Sequence, residues 1–152
     1  MANILNDDFI DFLQALNRYT VRYLIVGGYA VIYHGYNRTT GDLDIWIEPS
    51  EENYQKMILA FSDFGLPTSV ITQEKFLNLS EFDVFTFGRP PVCIEILTAV
   101  KGLIFNETYK NSTLVLYDNI EVRMIDIRDL ITAKKSVSRA KDMDDLEHLI
   151  SE

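Results

Sequence analysis

The chain has 152 residues, 47% apolar and 24% charged, which suits one globular domain (1–152) with a proper core. Its net charge of −9 argues against a long nucleic-acid partner, because such partners are gripped mainly through a basic face, and half of the 14 basic residues fall between Lys110 and Lys141. No apolar run approaches the roughly 20 residues of a membrane span, the start MANILNDDF lacks a signal peptide's pattern, and one cysteine with two histidines excludes Cys/His metal sites and points to a reducing cytoplasm.

In chain order, Asn6 is placed to cap a first helix whose Phe9, Phe12, Leu13 and Leu16 recur at i, i+3, i+4 and i+7. Arg18 and Arg22 suit its negative C-terminal pole. Residues 23–26 are a short apolar run, read as a buried strand. Gly27-Gly28 then makes a turn, and a helix is predicted over 29–33 with a stop at His34-Gly35-Tyr36-Asn37. His34 is read as a packing residue or an exposed helix end rather than a part of any chemistry. A second apolar run carries Asp42-Leu43-Asp44. Strand alternation sends Leu43, Ile45 and Ile47 to one face, Asp42 and Asp44 to the other.

Glu48-Pro49-Ser50 ends that strand. Ser50 caps a helix with Glu51 and Glu52 in its first turn, a stripe of Tyr54, Met57, Ile58 and Phe61, and Gly65 as its stop. A short helix is predicted over 72–79. Strands at 82–87 and 92–97 are joined by Gly88-Arg89-Pro90-Pro91. Glu95 lies inside the second of these strands, where an unpaired carboxylate is costly to bury. Either it faces solvent on an edge or it faces the acidic pair across a neighbouring strand. Residues 102–110 read as a loop or short helix, and 113–117 with 120–124 as a hairpin around Asp118-Asn119. Asp126 caps a helix to about residue 137, with Ile127, Leu130, Ile131 and Lys134 on one face. A last helix carries Arg139, Lys141, Asp142, Asp145, Leu146, Leu149 and Ile150, and Lys141 and Asp145 are spaced to pair on its surface.

Two carboxylates one pleat apart on one face repel each other unless a cation or a shared proton lies between them. An oxygen-only ligand set suits a hard ion such as magnesium, which takes one or two carboxylates plus substrate phosphates. Gly27 and Gly28, lacking Cβ atoms, let backbone approach a phosphate where a helix opens. Together these features read as phosphoryl or nucleotidyl transfer. No P-loop Gly-Lys-Ser/Thr supports a kinase or phosphatase, and no motif sets Cys93 or a serine beside a histidine.

The stretch LIVGGYAVIYHGYNRTTGDLDIWIE resembles the nucleotidyltransferase superfamily that includes DNA polymerase β and kanamycin nucleotidyltransferase. The family pattern is an apolar residue, Gly and Gly/Ser, a spacer of roughly ten residues, then Asp-apolar-Asp/Glu-apolar. Here it is Val26-Gly27-Gly28, a spacer at the long end of the family range, and Asp42-Leu43-Asp44-Ile45. Arg38, Thr40, Asp42 and Asp44 look most like the small stand-alone members related to abortive-infection toxins. A late Lys…Arg-x-Lys-Asp-x-x-Asp run in those members is matched by Lys134, Arg139, Lys141, Asp142 and Asp145.

The resemblance implies an α/β (α+β) fold, a mixed sheet flanked by helices with a helical C-terminal segment. It implies an enzyme that moves a nucleoside monophosphate from an NTP to a hydroxyl and releases pyrophosphate, using two magnesium ions, or manganese in their place. Asp42 and Asp44 would hold the metals. Glu95 would complete the set where the family usually has Asp, one methylene shorter. Gly27 and Gly28 would cradle the triphosphate, Arg38, Thr40, Lys134, Arg139 and Lys141 would contact nucleotide phosphates, and Asp142 is a candidate base. The acceptor could be a protein hydroxyl, a small molecule or an RNA end, in a toxin–antitoxin or phage-defence setting. The alternative is a nucleotide- or partner-binding module of the same fold, catalytically weak or inactive, that acts through a partner protein.

Overall fold

The computed structural model describes residues 6–36, 38–81, 83–89, 92–137 and 140–150. In chain order the elements are α1 (Asp7–Arg18), β1 (Tyr23–Val26), α2 (Gly27–Tyr33), β2 (Asp42–Ile47), α3 (Glu51–Phe64), a 3-10 turn (Thr68–Val70), α4 (Gln73–Leu77), β3 (Val84–Arg89), β4 (Val92–Leu97), α5 (Phe105–Asn111), β5 (Thr113–Tyr117), β6 (Ile120–Met124), α6 (Ile127–Val137) and α7 (Ala140–Ile150). The expected α/β architecture is present: one six-stranded mixed sheet in the order β3-β4-β2-β1-β6-β5, with helices around it.

Local chemistry explains most boundaries. The side chain of Asn6 accepts from the Phe9 N–H at 2.9 Å, and Ser50 from the Asn53 N–H at 3.2 Å, so both helix starts are capped as expected. Gly65 ends α3 in the left-handed region at φ 97°, where a Cβ is penalised. Asp118 and Asn119, at φ 51° and 70°, turn β5 into β6. Three predicted boundaries differ, one of them the helix read over 72–79, which spans only Gln73–Leu77, and one open alternative is decided. Helix α2 begins at Gly27 rather than Tyr29, so the glycines form its first turn instead of preceding it. Strand β3 runs from Val84 through Arg89, and Phe82 lies outside the described residues. The undecided segment 102–110 contains a helix from Phe105.

Strand register separates the sheet into two chemically different faces. One row, Phe85–Ile96–Ile45–Ile25–Met124, crosses five strands and is buried throughout. Helices α1 and α3 pack on this side, where Phe12 meets Phe61 and Phe64, and Phe61 meets Phe87. Burying such side chains stabilises the fold by about 1.5–3 kcal/mol each. The row one pleat away, Thr86–Glu95–Asp44–Val26, is on the opposite face. The alternation read from residues 42–47 is therefore correct, with Leu43, Ile45 and Ile47 all in the core.

Two tyrosines carry a consequence for stability. Burial, the larger cause in each case, pushes the phenols of Tyr23 and Tyr117 well above the ordinary value; the charge of Asp118 adds to the effect at Tyr117. Tyr23 donates to Asn17 Oδ1 at 2.8 Å, whereas the buried Tyr117 hydroxyl finds no partner among the described residues. A phenol whose pKa is higher folded than unfolded holds its proton more tightly in the folded state. Its contribution is complete below the ordinary phenol value and is lost as pH rises through the folded one. Thermal unfolding should therefore keep a level midpoint from neutral pH to about pH 9 and fall beyond about pH 10. Tyr117→Phe should reduce that fall and, by removing an unsatisfied buried hydroxyl, raise the neutral-pH midpoint by roughly 2–4 °C.

Candidate active site

The site grows from the end of the shortest strand. β1 closes its pairing with β2 at Val26↔Asp44, and the chain turns at once into α2 through Gly27 at φ 68°. The bare Cα of Gly27 lies against the Asp44 carboxylate: a Cβ there would come within 1.9 Å of Oδ2. Gly28 stands in the same relation to Thr40, whose Oγ1 would be 2.4 Å from an added Cβ. Both glycines are needed for close approach, and Gly27 for backbone conformation as well.

Parallel pairing of β2 with β4 sets Glu95 directly beside Asp44 and Cys93 beside Asp42. Of the two readings of Glu95, the one that faces it toward the acidic pair is correct. Asp44 and Glu95 line a cavity of about 260 Å³ together with Gly27, Gly28, Lys134 and Asp142. Apolar side chains of Val84, Leu97, Ile125 and Leu130 complete its wall. Asp42 is not among the lining residues. Its carboxylate takes a hydrogen bond from the Cys93 thiol, whose pKa is raised by burial first and then by the charges of Asp42 and Glu95. Cys93 is the neighbour that sequence reasoning missed, although its position two residues before Glu95 puts it on the same strand face.

The ligand set is oxygen-only, the chemistry that suits magnesium. Among the described residues, however, no three His, Cys, Asp or Glu side chains are gathered into a group able to hold a metal ion. Asp44 and Glu95 fit a hard cation in donor type and register, with Asp42 one pleat away.

The late charged residues form a buried network. Lys134 Nζ on α6 lies 3.2 Å from Asp142 Oδ1 and 3.1 Å from Asp145 Oδ2 on α7. Arg38, from the segment between α2 and β2, grips Asp145 with Nε 2.9 Å from Oδ1 and with Nη2 donating to Oδ2 at 3.1 Å. Asp142 and Asp145 are 1% and 0% exposed. The surface pairing read for Asp145 is thus corrected: it is an interior residue shared by two cations, because α7 packs its acidic face inward onto α6 and Arg38. Arg139 and the Lys141 side chain lie outside the described residues. Arg38 is absent from the cavity lining, and Thr40 packs on Gly28.

The remaining histidines serve structure. His34 Nε2 donates to the Ile125 carbonyl at 2.7 Å, which ties the end of α2 to a residue of the cavity wall, as a packing role requires. His148 stacks on Tyr36 at 3.7 Å between centroids, and the Tyr36 hydroxyl donates to Asp144 at 2.6 Å. These contacts fasten α7 to the segment that carries Arg38.

Solved structures of similar fold share one description. The lincosamide antibiotic adenylyltransferase LnuA, solved with lincomycin bound, superposes with a TM-score of 0.58 over 99% of both chains at 14% identity. A putative nucleotidyltransferase from Thermotoga maritima has a TM-score of 0.57 at 13% identity, over 94% of this chain and 90% of that one. An antigenic nucleotidyltransferase-like protein from Paracoccidioides brasiliensis has a TM-score of 0.55 at 15% identity, over 95% of this chain and 73% of that one. This chain has the nucleotidyltransferase fold. No family model matches it, and a comparison with curated proteins finds no match. Within this fold, Gly27, Gly28, Asp44 and Glu95 line one cavity, whereas Asp42 of the same stretch does not.

Gly27→Ala should be among the most damaging small substitutions. The left-handed backbone alone costs about 1–2 kcal/mol with a Cβ, and Asp44 must also move. An unfolding midpoint lowered by roughly 2–8 °C is expected, a larger drop than for Gly65→Ala, which shares the positive φ but has nothing within 4 Å of an added Cβ; differential scanning calorimetry of the two variants and wild type is the direct check.

Proposed function

We propose that the chain is a nucleotidyltransferase that moves a nucleoside monophosphate from an NTP to a hydroxyl. The observation that carries this reading is the meeting of the Gly27-Gly28 turn with Asp44 and Glu95 in one cavity. Gly27 and Gly28 form the first turn of α2 and line the cavity, so their backbone N–H groups would be the ones to meet a triphosphate there. Asp44, helped by Asp42 one pleat away and by Glu95 beside it, would hold magnesium or manganese, whose shell is completed by water and nucleotide phosphate oxygens. When bound, such ions offset the charge that builds up on the transferring phosphoryl group.

In the step itself, the acceptor oxygen forms a bond to the α-phosphorus while the bond to the oxygen bridging to the β-phosphate breaks. Pyrophosphate leaves, and the hydroxyl proton passes to a carboxylate of the cavity, for which Glu95 and Asp142 are the candidates besides Asp44. Apolar side chains of Val84, Leu97, Ile125 and Leu130 line the same cavity beside that exchange. A small hydroxyl-bearing molecule is the acceptor class favoured by analogy with LnuA, which was solved with lincomycin bound. A protein hydroxyl or an RNA end in a toxin–antitoxin setting are the other acceptor classes. The acidic chain, at −9, makes a long nucleic acid the poorest fit.

Thermal unfolding with each NTP, with and without magnesium, tests the reading. A ligand at about 100 times its dissociation constant adds roughly 2.7 kcal/mol, a rise of several degrees at this size. The rise should require magnesium and vanish in Asp42→Ala/Asp44→Ala. Where an acceptor is in hand, Asp44→Asn should lower turnover by about a hundredfold or more, and wild-type-like turnover would overturn the assignment. Nucleotide binding without transfer to any acceptor would favour the partner-binding module instead.

A further inference from the structure

Lys134 is the one Lys or Arg among the described residues that line the cavity, and it is already neutralised. Its ammonium sits between Asp142 Oδ1 at 3.2 Å and Asp145 Oδ2 at 3.1 Å, with the lysine side chain itself only 9% exposed. Arg38 completes the cluster on the far side of Asp145. Among the described residues, these two cations and two carboxylates balance one another. The rest of the lining contributes two more carboxyl groups, those of Asp44 and Glu95. A polyphosphate that enters therefore meets no uncompensated positive side chain among the described residues of the lining.

The two carboxylates are not equivalent. Asp145 is held from both sides, by Arg38 through two nitrogens and by Lys134, and is absent from the cavity lining. Asp142 lines the cavity, and its contact with Lys134 is the one that faces the space a ligand would fill. We propose that Asp142 is an internal stand-in for a ligand phosphate: it occupies Lys134 in the free protein, and a phosphate of the incoming polyphosphate takes its place. This role rests on the nucleotide reading above and differs from that of a base for the acceptor hydroxyl. The exchange is between two anions on one ammonium, with no bond made or broken. A buried charge left without a partner is costly, which is why Lys134 keeps Asp142 until another anion arrives.

The consequence is opposite in sign to that of an ordinary binding residue. Asp142→Asn keeps the shape, leaves Lys134 and Arg38 sharing one carboxylate, and gives the cluster a net positive charge. Isothermal titration with inorganic tripolyphosphate, and separately with ATP and magnesium, should show affinity about tenfold tighter than wild type, within the usual span of coupling between two sites. Adding Lys134→Met to Asp142→Asn should remove the gain. Equal or weaker affinity in Asp142→Asn, with its fold verified by thermal unfolding, overturns the exchange. ATP binding that is the same in wild type and Asp142→Asn would leave the nucleotidyltransferase reading standing and remove only this one. No binding of ATP or tripolyphosphate to either protein would remove both. Should Asp142→Asn fail to fold, amide hydrogen exchange on the wild type decides: tripolyphosphate should speed exchange over 142–146 at the start of α7, and slowed or unchanged exchange there overturns the proposal.

Discussion

Asp44 can stand at the end of β1 because Gly27 has no side chain. The last pair of the β1–β2 ladder, Val26↔Asp44, puts the carboxylate where the chain must leave the sheet, and the 1.9 Å approach of a hypothetical Cβ shows that no other residue fits without displacing it. The left-handed φ of 68° at the same residue redirects the chain into α2 within one peptide. Steric room, backbone direction and placement of the acidic pair are thus one constraint. Register transmits it further: with Asp44 in place, parallel pairing assigns Glu95 to the adjacent position on β4 and Thr86 to the next on β3. A slip of one residue in β4 would turn Glu95 into the core and Ile94 or Ile96 toward the site.

The sheet therefore does two jobs with alternate residues. One face, from Phe85 through Ile96, Ile45 and Ile25 to Met124, supplies the rigid apolar layer against α1 and α3. The other concentrates negative charge at Asp42, Asp44 and Glu95, with Cys93 hydrogen-bonded to the first of them. Neighbouring carboxylates destabilise one another when nothing compensates them, and the nucleotidyltransferase reading assigns that task to a hard cation and its phosphate ligands. Across the cavity, α6 and α7 hold a cluster of the opposite kind, in which Lys134 and Arg38 are balanced by Asp142 and Asp145. A polyphosphate would have to be received between a surplus of negative charge and a neutral cluster, so the charge of the ligand and of its ions matters more than any single hydrogen bond.

The segment between α2 and β2 joins these halves. Arg38 binds α7 through Asp145, Thr40 packs on Gly28, and Asp42 follows at once in β2. Tyr36 adds a stack on His148 and a hydrogen bond to Asp144. Helix α7 is consequently tied to the glycine turn through side chains, although more than a hundred residues separate them in the chain.

Much of this was legible from local pattern. The caps at Asn6 and Ser50, the stop at Gly65, the Asp118-Asn119 turn and the alternation of residues 42–47 depend on neighbours within a few positions, and periodicity reports such interactions directly. The pairing of the glycine turn with the Asp-x-Asp strand was legible for the same reason, since both lie in one continuous stretch, and Glu95 could be narrowed to two orientations by its apolar flanks. What the chain in one dimension left open was every relation across strands and helices. Which orientation Glu95 takes is decided by the parallel register of β4 on β2. The Cys93 contact with Asp42 has the same origin. Asp145 reads as a surface residue from its spacing to Lys141, yet it is interior, because Arg38 and Lys134 reach it from two other segments and burial of a carboxylate depends on partners that sequence distance does not reveal. Local chemistry wrote the elements and the residue types of the site; the long-range pairing of strands and the packing of α7 decided which of those residues meet.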